Sequence, residues 1–188
     1  MIDPVPGPKY RSRRGALRLG GAGMISLFAA PVMASTANYA TGQRSLSFHH
    51  RHTGESMAAT YWENGEYIPQ ALDEIGVLLR DVWTDETIRI DVGLLDSLYL
   101  LHDTLATTEP FQVICGYRSP STNAAMARQS RRVAPDSLHM EGRAVDIRLP
   151  GRSLGDVRRA ALDLRLGGIG YYPRSNFVHI DTGAIRSW

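Results

Sequence analysis

The stretch Ser137 to Asp146 reads SLHMEGRAVD, and Phe177 to Gly183 reads FVHIDTG. Gly142 permits a tight turn, so His139 falls at a loop end and Asp146 projects from the strand that follows, Ala144 to Leu149. Phe177 to Thr182 is a second strand. Strand side chains alternate, which puts Phe177, His179 and Asp181 on one face and sends Val178 and Ile180 into a core. Two imidazoles and a carboxylate suit zinc and leave a fourth position open, the geometry of a catalytic rather than a structural site. On residues alone, one metal site formed by His139, Asp146 and His179 and two ordinary histidines beside a carboxylate both remain open.

Working outward, Gly167 to Tyr172 is a further strand, joined to the last by the turn Pro173-Arg-Ser-Asn176. Ser153 with Asp156 three residues on resembles a capping box for a helix reaching about Leu164. Phe111 to Cys115 is β-prone; a loop over Gly116 to Ser121 and a short helix over Thr122 to Ser130 follow. Asp91 is a good N-cap for a helix over Val92 to Leu105, with Leu94, Leu95, Leu98 and Leu101 on one side. Ile68, Leu72, Ile75, Leu78, Leu79 and Val82 have helical spacing over Pro69 to Trp83, with Pro69 in the first turn. Before them, two short strands flank a hairpin turn at Thr53-Gly54-Glu55 within Ser45 to Tyr61. Helices first, then a largely antiparallel sheet with helices between, predict an α+β fold.

The chain has 188 residues, 43% of them hydrophobic, which fits a single folded domain. Its first 34 residues read separately. Ser12-Arg13-Arg14-Gly15 precedes the apolar, Gly/Ala-rich run Leu19 to Ala30, and Val32-Met33-Ala34 has the small residues of a cleavage site. We read residues 1–34 as a twin-arginine-type signal peptide, a receptor-read address for the Tat export machinery. Its broken apolar run falls short of the ~20 residues that span a bilayer, so no stable membrane span is expected after processing. Residues 35–188 are then one domain, with 35–44 a flexible lead-in and order beginning near Leu46. Five of the 21 basic residues and one of the 19 acidic ones leave with the signal, so the remaining domain is mildly acidic. Arg131-Arg132 and Arg158-Arg159 are isolated pairs without a nucleic-acid motif, and no nucleic-acid partner is expected. The lone Cys115 cannot form an intramolecular disulfide, and within Phe111 to Tyr117 it reads as a core residue without a histidine partner.

The pattern Ser137-x-His139-x-x-Gly142-x-Ala144-x-Asp146 with a later strand histidine resembles the signature of the zinc peptidases that include D-Ala-D-Ala dipeptidases and carboxypeptidases. Hedgehog signalling domains share their fold. The run Gly167 to Gly183, Gly116-Tyr-Arg-Ser119, His52-Thr-Gly-Glu55, Trp188 and the twin-arginine leader resemble the murein endopeptidase K branch of Gram-negative bacteria. The similarity covers nearly the whole chain. It implies a hedgehog/D-Ala-D-Ala peptidase-like fold, an antiparallel sheet with flanking helices, and a periplasmic, monomeric, zinc-dependent murein endopeptidase. The substrate implied is the peptide cross-link of peptidoglycan, meso-diaminopimelate to meso-diaminopimelate or D-Ala to meso-diaminopimelate. The alternatives are a D,D-carboxypeptidase and a non-catalytic zinc-stabilised peptidoglycan-binding module.

By the resemblance, His139, Asp146 and His179 are the Zn2+ ligands. Arg118 corresponds to the family's arginine near the substrate carbonyl, where it stabilises an oxyanion or holds a substrate carboxylate. Ser137 positions His139 or binds substrate. One departure stands out: where many relatives carry a Glu three residues, or a His two residues, before the last ligand, this chain has Asn176 and Phe177. Asp181, on the His179 face, is the nearest substitute, either as proton acceptor or as the group that orients a ligand imidazole. Glu141 is a third candidate, expected to lie in solvent.

Overall fold

In a computed structural model, the structure describes residues 42–130 and 133–188. Most of the signal and lead-in expectation, and the Arg131-Arg132 pair, lie outside the described residues. The fold is α+β. Its strands are β1 (Gln43–His50), β2 (Ser56–Glu63), β3 (Glu66–Tyr67), β4 (Phe111–Cys115), β5 (Ala144–Arg148), β6 (Gly168–Tyr172), β7 (Phe177–Asp181) and β8 (Arg186–Ser187). Its helices are α1 (Pro69–Leu78), α2 (Val92–Thr104), α3 (Pro120–Gln129) and α4 (Leu154–Asp163), with a 3-10 turn at Leu138–Glu141. One sheet runs β3-β2-β1-β4-β5-β7-β6-β8, antiparallel except where β1 meets β4 and β6 meets β8.

Alternation divides that sheet into two chemically different faces. Phe48, Phe111, Val113, Val145, Ile147, Val178, Ile180 and Ile169 are all buried and join one core with Leu72, Ile75 and Leu79, and with Leu94, Leu95, Leu98 and Leu101. Helices α1, α2 and α4 contribute to that core from one side, and each fully buried aliphatic side chain contributes roughly 1.5–3 kcal/mol. The other face carries His49, Gln112, Asp146, Arg148, His179 and Asp181, the intervening residues of the same strands.

Local signals explain the element ends. Asp91 Oδ1 accepts from Gly93 N at 2.9 Å and starts α2; Ser153 Oγ accepts from Asp156 N at 3.1 Å and starts α4. Pro69 opens α1, but that helix ends at Leu78 rather than Trp83. The carbonyl of Leu79 accepts from Tyr117 N at 2.7 Å, and Asp81 accepts from Trp83 N and Ser119 N, both at 2.8 Å. These contacts turn the chain into a loop that clamps residues 116–119. Helix α3 starts two residues earlier than expected, because Ser119 Oγ caps Thr122 N at 3.2 Å and Pro120 takes the first helical position.

Ordered structure also begins earlier than the expected lead-in allows. Gln43 and Arg44 already belong to β1, opposite Glu63 and Trp62. Arg44 bonds Asp96 at 2.7 Å and stacks 4.5 Å over the Trp62 ring, while Tyr61 and Tyr67 donate to the same Asp96 carboxylate. Those partners come from β2, β3 and α2, so the spacing near Arg44 carries no trace of them.

Candidate metal centre

Register assembles the centre. Asp146 on β5 lies directly opposite His179 on β7, and Cys115 on β4 extends the same row on the other side of Asp146. His139 comes from the 3-10 turn. There the Ser137 carbonyl accepts from Met140 N at 2.9 Å, and Gly142 closes the turn at a φ of 67°. A Cβ on Gly142 would stand 2.9 Å from the Arg89 carbonyl, so only glycine fits both the angle and the space. Arg118 N donates to the His139 carbonyl at 3.1 Å, tying the turn to the Arg118 loop.

Three donor atoms converge. His139 Nε2 lies 3.2 Å from His179 Nδ1 and 3.3 Å from Asp146 Oδ1, and His179 Nδ1 lies 2.8 Å from Asp146 Oδ1. A tetrahedral ion with bonds of 2.0–2.1 Å has ligand-to-ligand edges of about 3.3 Å, so a zinc-sized cation fits this triangle with little rearrangement. The far ring nitrogens are already committed. His139 Nδ1 donates to the Gly116 carbonyl at 2.7 Å, and His179 Nε2 donates to Asp181 Oδ2 at 3.0 Å. Each imidazole is thereby held in the tautomer whose lone pair faces the centre, the usual arrangement around a metal-ligating histidine.

The electrostatics agree. Burial opposes charge on both imidazoles, but Asp146 and then Cys115 outweigh it and raise His139 to about 10; Asp146 and Asp181 together raise His179. Burial likewise pushes the Asp146 carboxyl up, and the two histidines overcome it and hold the group below the ordinary carboxylate range. The pocket therefore holds a carboxylate and attracts positive charge, whether carried by protons or by a cation that displaces them.

Asp181 is fully buried and its oxygens are occupied. Oδ1 accepts from Gly183 N at 2.8 Å, Gly168 N at 3.1 Å and Arg186 Nη1 at 3.1 Å; Oδ2 accepts from Arg186 Nη2 at 2.7 Å besides His179. Burial raises its pKa, but His179 and Arg186 lower it far more, so it stays ionised and tightly engaged. Arg118 is buried beside the centre, donating from Nη1 to Asn123 at 3.1 Å and from Nη2 to Cys115 Sγ at 3.4 Å; its Nε has no protein partner. Ser137 stands half-buried as the residue that opens the 3-10 turn, and Glu141 is exposed and paired with Arg143.

Cys115 departs from the expected core role. Strict alternation would place it with Phe111 and Val113, but a bulge between Val113 and Cys115 inserts Ile114 and turns Cys115 to the Asp146 side. Its sulfur lies within 4.8 Å of donor atoms of His139 and Asp146, and it has the histidine neighbour that its sequence context did not predict. Burial raises the thiol, yet His139 and Arg118 bring its pKa below the ordinary value. The closer convergence of His179 makes that residue, rather than Cys115, the third donor of the triangle. Sequence reasoning also missed Arg186, which follows Asp181 by five residues and meets it where β8 pairs with β6.

An open set of two imidazoles and one carboxylate on an α+β sheet is the apparatus of a metallopeptidase. The family model described as peptidoglycan L,D-endopeptidase MepK, an M15 peptidase, matches residues 38–188. Peptidoglycan L,D-endopeptidase MepK of Escherichia coli (strain K12) is 42% identical over 178 residues, 94% of this chain and 97% of that protein. The probable peptidoglycan L,D-endopeptidase MepK of Haemophilus influenzae is 38% identical over 180 residues, 95% and 96% of the two chains. The chain belongs to this family of peptidases.

Proposed function

We propose that this chain is a zinc-dependent peptidoglycan endopeptidase that hydrolyses peptide cross-links, with His139, Asp146 and His179 as the metal ligands. The observation that carries the reading is the triangle of donor atoms 2.8–3.3 Å apart whose imidazoles have their outer nitrogens already bonded. When bound there, a divalent zinc ion supplies a Lewis acid that polarises the scissile carbonyl and makes water nucleophilic near neutral pH. Arg118, buried beside the centre and held by Asn123 and Cys115, supplies a fixed positive charge that stabilises the carbonyl oxygen as negative charge develops. Asp181 holds the His179 ring by its Nε2 hydrogen, and its occupied oxygens favour this orienting role over that of proton acceptor. Ser137 sets the turn from which His139 projects.

The relatives are named L,D-endopeptidases, and by that likeness the bond cut joins two meso-diaminopimelate residues. On this reading residues 1–34 are a twin-arginine leader that directs the chain to the periplasm, where the processed enzyme acts as a monomer; among the described residues no helix is long and apolar enough to cross a membrane. Purified processed protein incubated with cross-linked muropeptides, with and without a chelator, tests the reading. Dimers should be converted to monomers, chelation should stop this, and zinc should restore it; chelator-insensitive cleavage, or inactivity with zinc restored, would overturn it. Product masses on the two dimer types identify the bond.

A further inference from the structure

The face that carries the metal centre continues beyond it. Arg148 follows Asp146 by two residues on β5, so its side chain leaves the same face about 7 Å further along the strand. There it sits opposite Gln112 of β4, and Arg148 Nε donates to Gln112 Oε1 at 2.8 Å. That bond fixes the plane of the guanidinium. Among the described contacts neither Nη atom has a partner, and no acidic side chain pairs with Arg148. Continuing the antiparallel count past Ile147 and Val178 brings Arg148 opposite Phe177, which stacks on Tyr172 with ring centroids 4.6 Å apart. Tyr172 OH accepts from Trp188 Nε1 at 2.7 Å, and the Trp188 ring lies 5.3 Å from that of His179. An aromatic wall thus leads from His179 towards Arg148, the cation that Gln112 orients.

A half-buried arginine with its Nε tethered and both Nη atoms available is a fork aimed at a planar anion, and the matching group on a peptide is a carboxylate. We propose that Arg148 recognises a free carboxylate carried by the substrate residue next to the scissile amide, with Phe177 and Tyr172 flanking its aliphatic part. This inference rests on the endopeptidase reading and deepens it. It makes Arg148 a specificity-determining residue, distinct from Arg118 at the metal. Arg148 leaves the sheet about 7 Å beyond Asp146 and an extended peptide advances about 3.4 Å per residue, so a carboxylate at the end of the neighbouring residue's side chain spans the remaining distance.

The test pairs two substrates with two variants. Cross-linked muropeptides bearing free diaminopimelate carboxylates, and the same dimers with those groups converted to carboxamides, are presented to the wild type, Arg148→Gln and Arg148→Lys. Binding of the corresponding uncross-linked tripeptides is measured alongside, independently of turnover. A charge-assisted bond of this kind corresponds to roughly 10- to 100-fold in kcat/KM or in affinity. The wild type should prefer the carboxylate by that factor, mostly through KM. Arg148→Gln should fall to the carboxamide level on the carboxylate substrate and change little on the carboxamide, and Arg148→Lys should recover part of the loss. Equal losses on both substrates, or none on either, would overturn the assignment. Metal content and melting temperature, read on the same samples, should not change. If the wild type cleaves neither dimer, the endopeptidase reading fails, and the binding comparison still decides whether Arg148 reads a carboxylate.

Discussion

Asp181→Asn separates the two roles open to the carboxylate beside His179. The amide is nearly isosteric, but one of its two ends no longer accepts hydrogen bonds. In the wild type one oxygen faces three donors, Gly168 N, Gly183 N and Arg186 Nη1, and the other faces His179 Nε2 and Arg186 Nη2. The amide oxygen will keep the side with the two backbone donors, which leaves an NH2 group against His179. The imidazole loses its anchor and its preference for the tautomer that aims Nδ1 at the centre. Loss of such an outer partner weakens metal binding by roughly 10- to 100-fold, about 1.4–2.7 kcal/mol. The Arg186 guanidinium is partly exposed and can turn to water, which limits the further cost to folding. Titrating the metal-free variant with zinc against a competing chelator reads the affinity, and muropeptide cleavage at saturating zinc reads turnover. The expected result is weakened binding with turnover largely restored once the site is filled. Unchanged zinc affinity together with a kcat loss of 10²-fold or more would refute the orienting role and identify Asp181 as the proton acceptor.

His139→Ala and His179→Ala should each abolish stoichiometric zinc binding and cleavage while leaving the far-ultraviolet circular dichroism of the domain in place. Gly116→Ala should destabilise by roughly 1–3 kcal/mol and impair cleavage, because the added Cβ would stand 2.5 Å from the Leu79 carbonyl and force the Arg118 loop outward; urea unfolding checks the first and kcat/KM the second. His50 is buried, with Nδ1 accepting from two backbone N–H groups and Nε2 unpartnered; burial first, then the nearby His52 and Arg80, lower its pKa to about 4. The unfolded chain binds a proton there at about 6.5 while the folded one does not, so the domain should lose up to roughly 3 kcal/mol as pH falls from 6.5 to 4. His50→Gln should flatten that part of the stability profile, and urea midpoints across the window measure it.

Much of this protein was legible one segment at a time. The caps at Asp91 and Ser153, Pro69 in a first turn, the leucine spacing of α2 and the alternation through Phe177 to Asp181 are local preferences, and each reappears in the fold. The donor types at His139, Asp146 and His179 were visible too, together with the glycine that closes the turn between the first two. These features act over a few residues, within which backbone sterics and side-chain periodicity decide the outcome.

What tertiary structure alone decided depends on register between distant strands. The extra residue in β4 turns Cys115 from the core to the side of Asp146, a reversal that no periodicity within Phe111 to Tyr117 predicts. The Tyr117–Leu79 hydrogen bond cuts α1 short, and Asp96 draws Arg44 into β1 across a span that neither segment encodes alone. Arg186, five residues after Asp181, meets it where β8 pairs with β6, and Arg148 is oriented by Gln112, which faces it across the sheet. A strand's own sequence sets which side chains share a face. Pairing with its neighbours sets which side chains converge on that face, and what each one finds there.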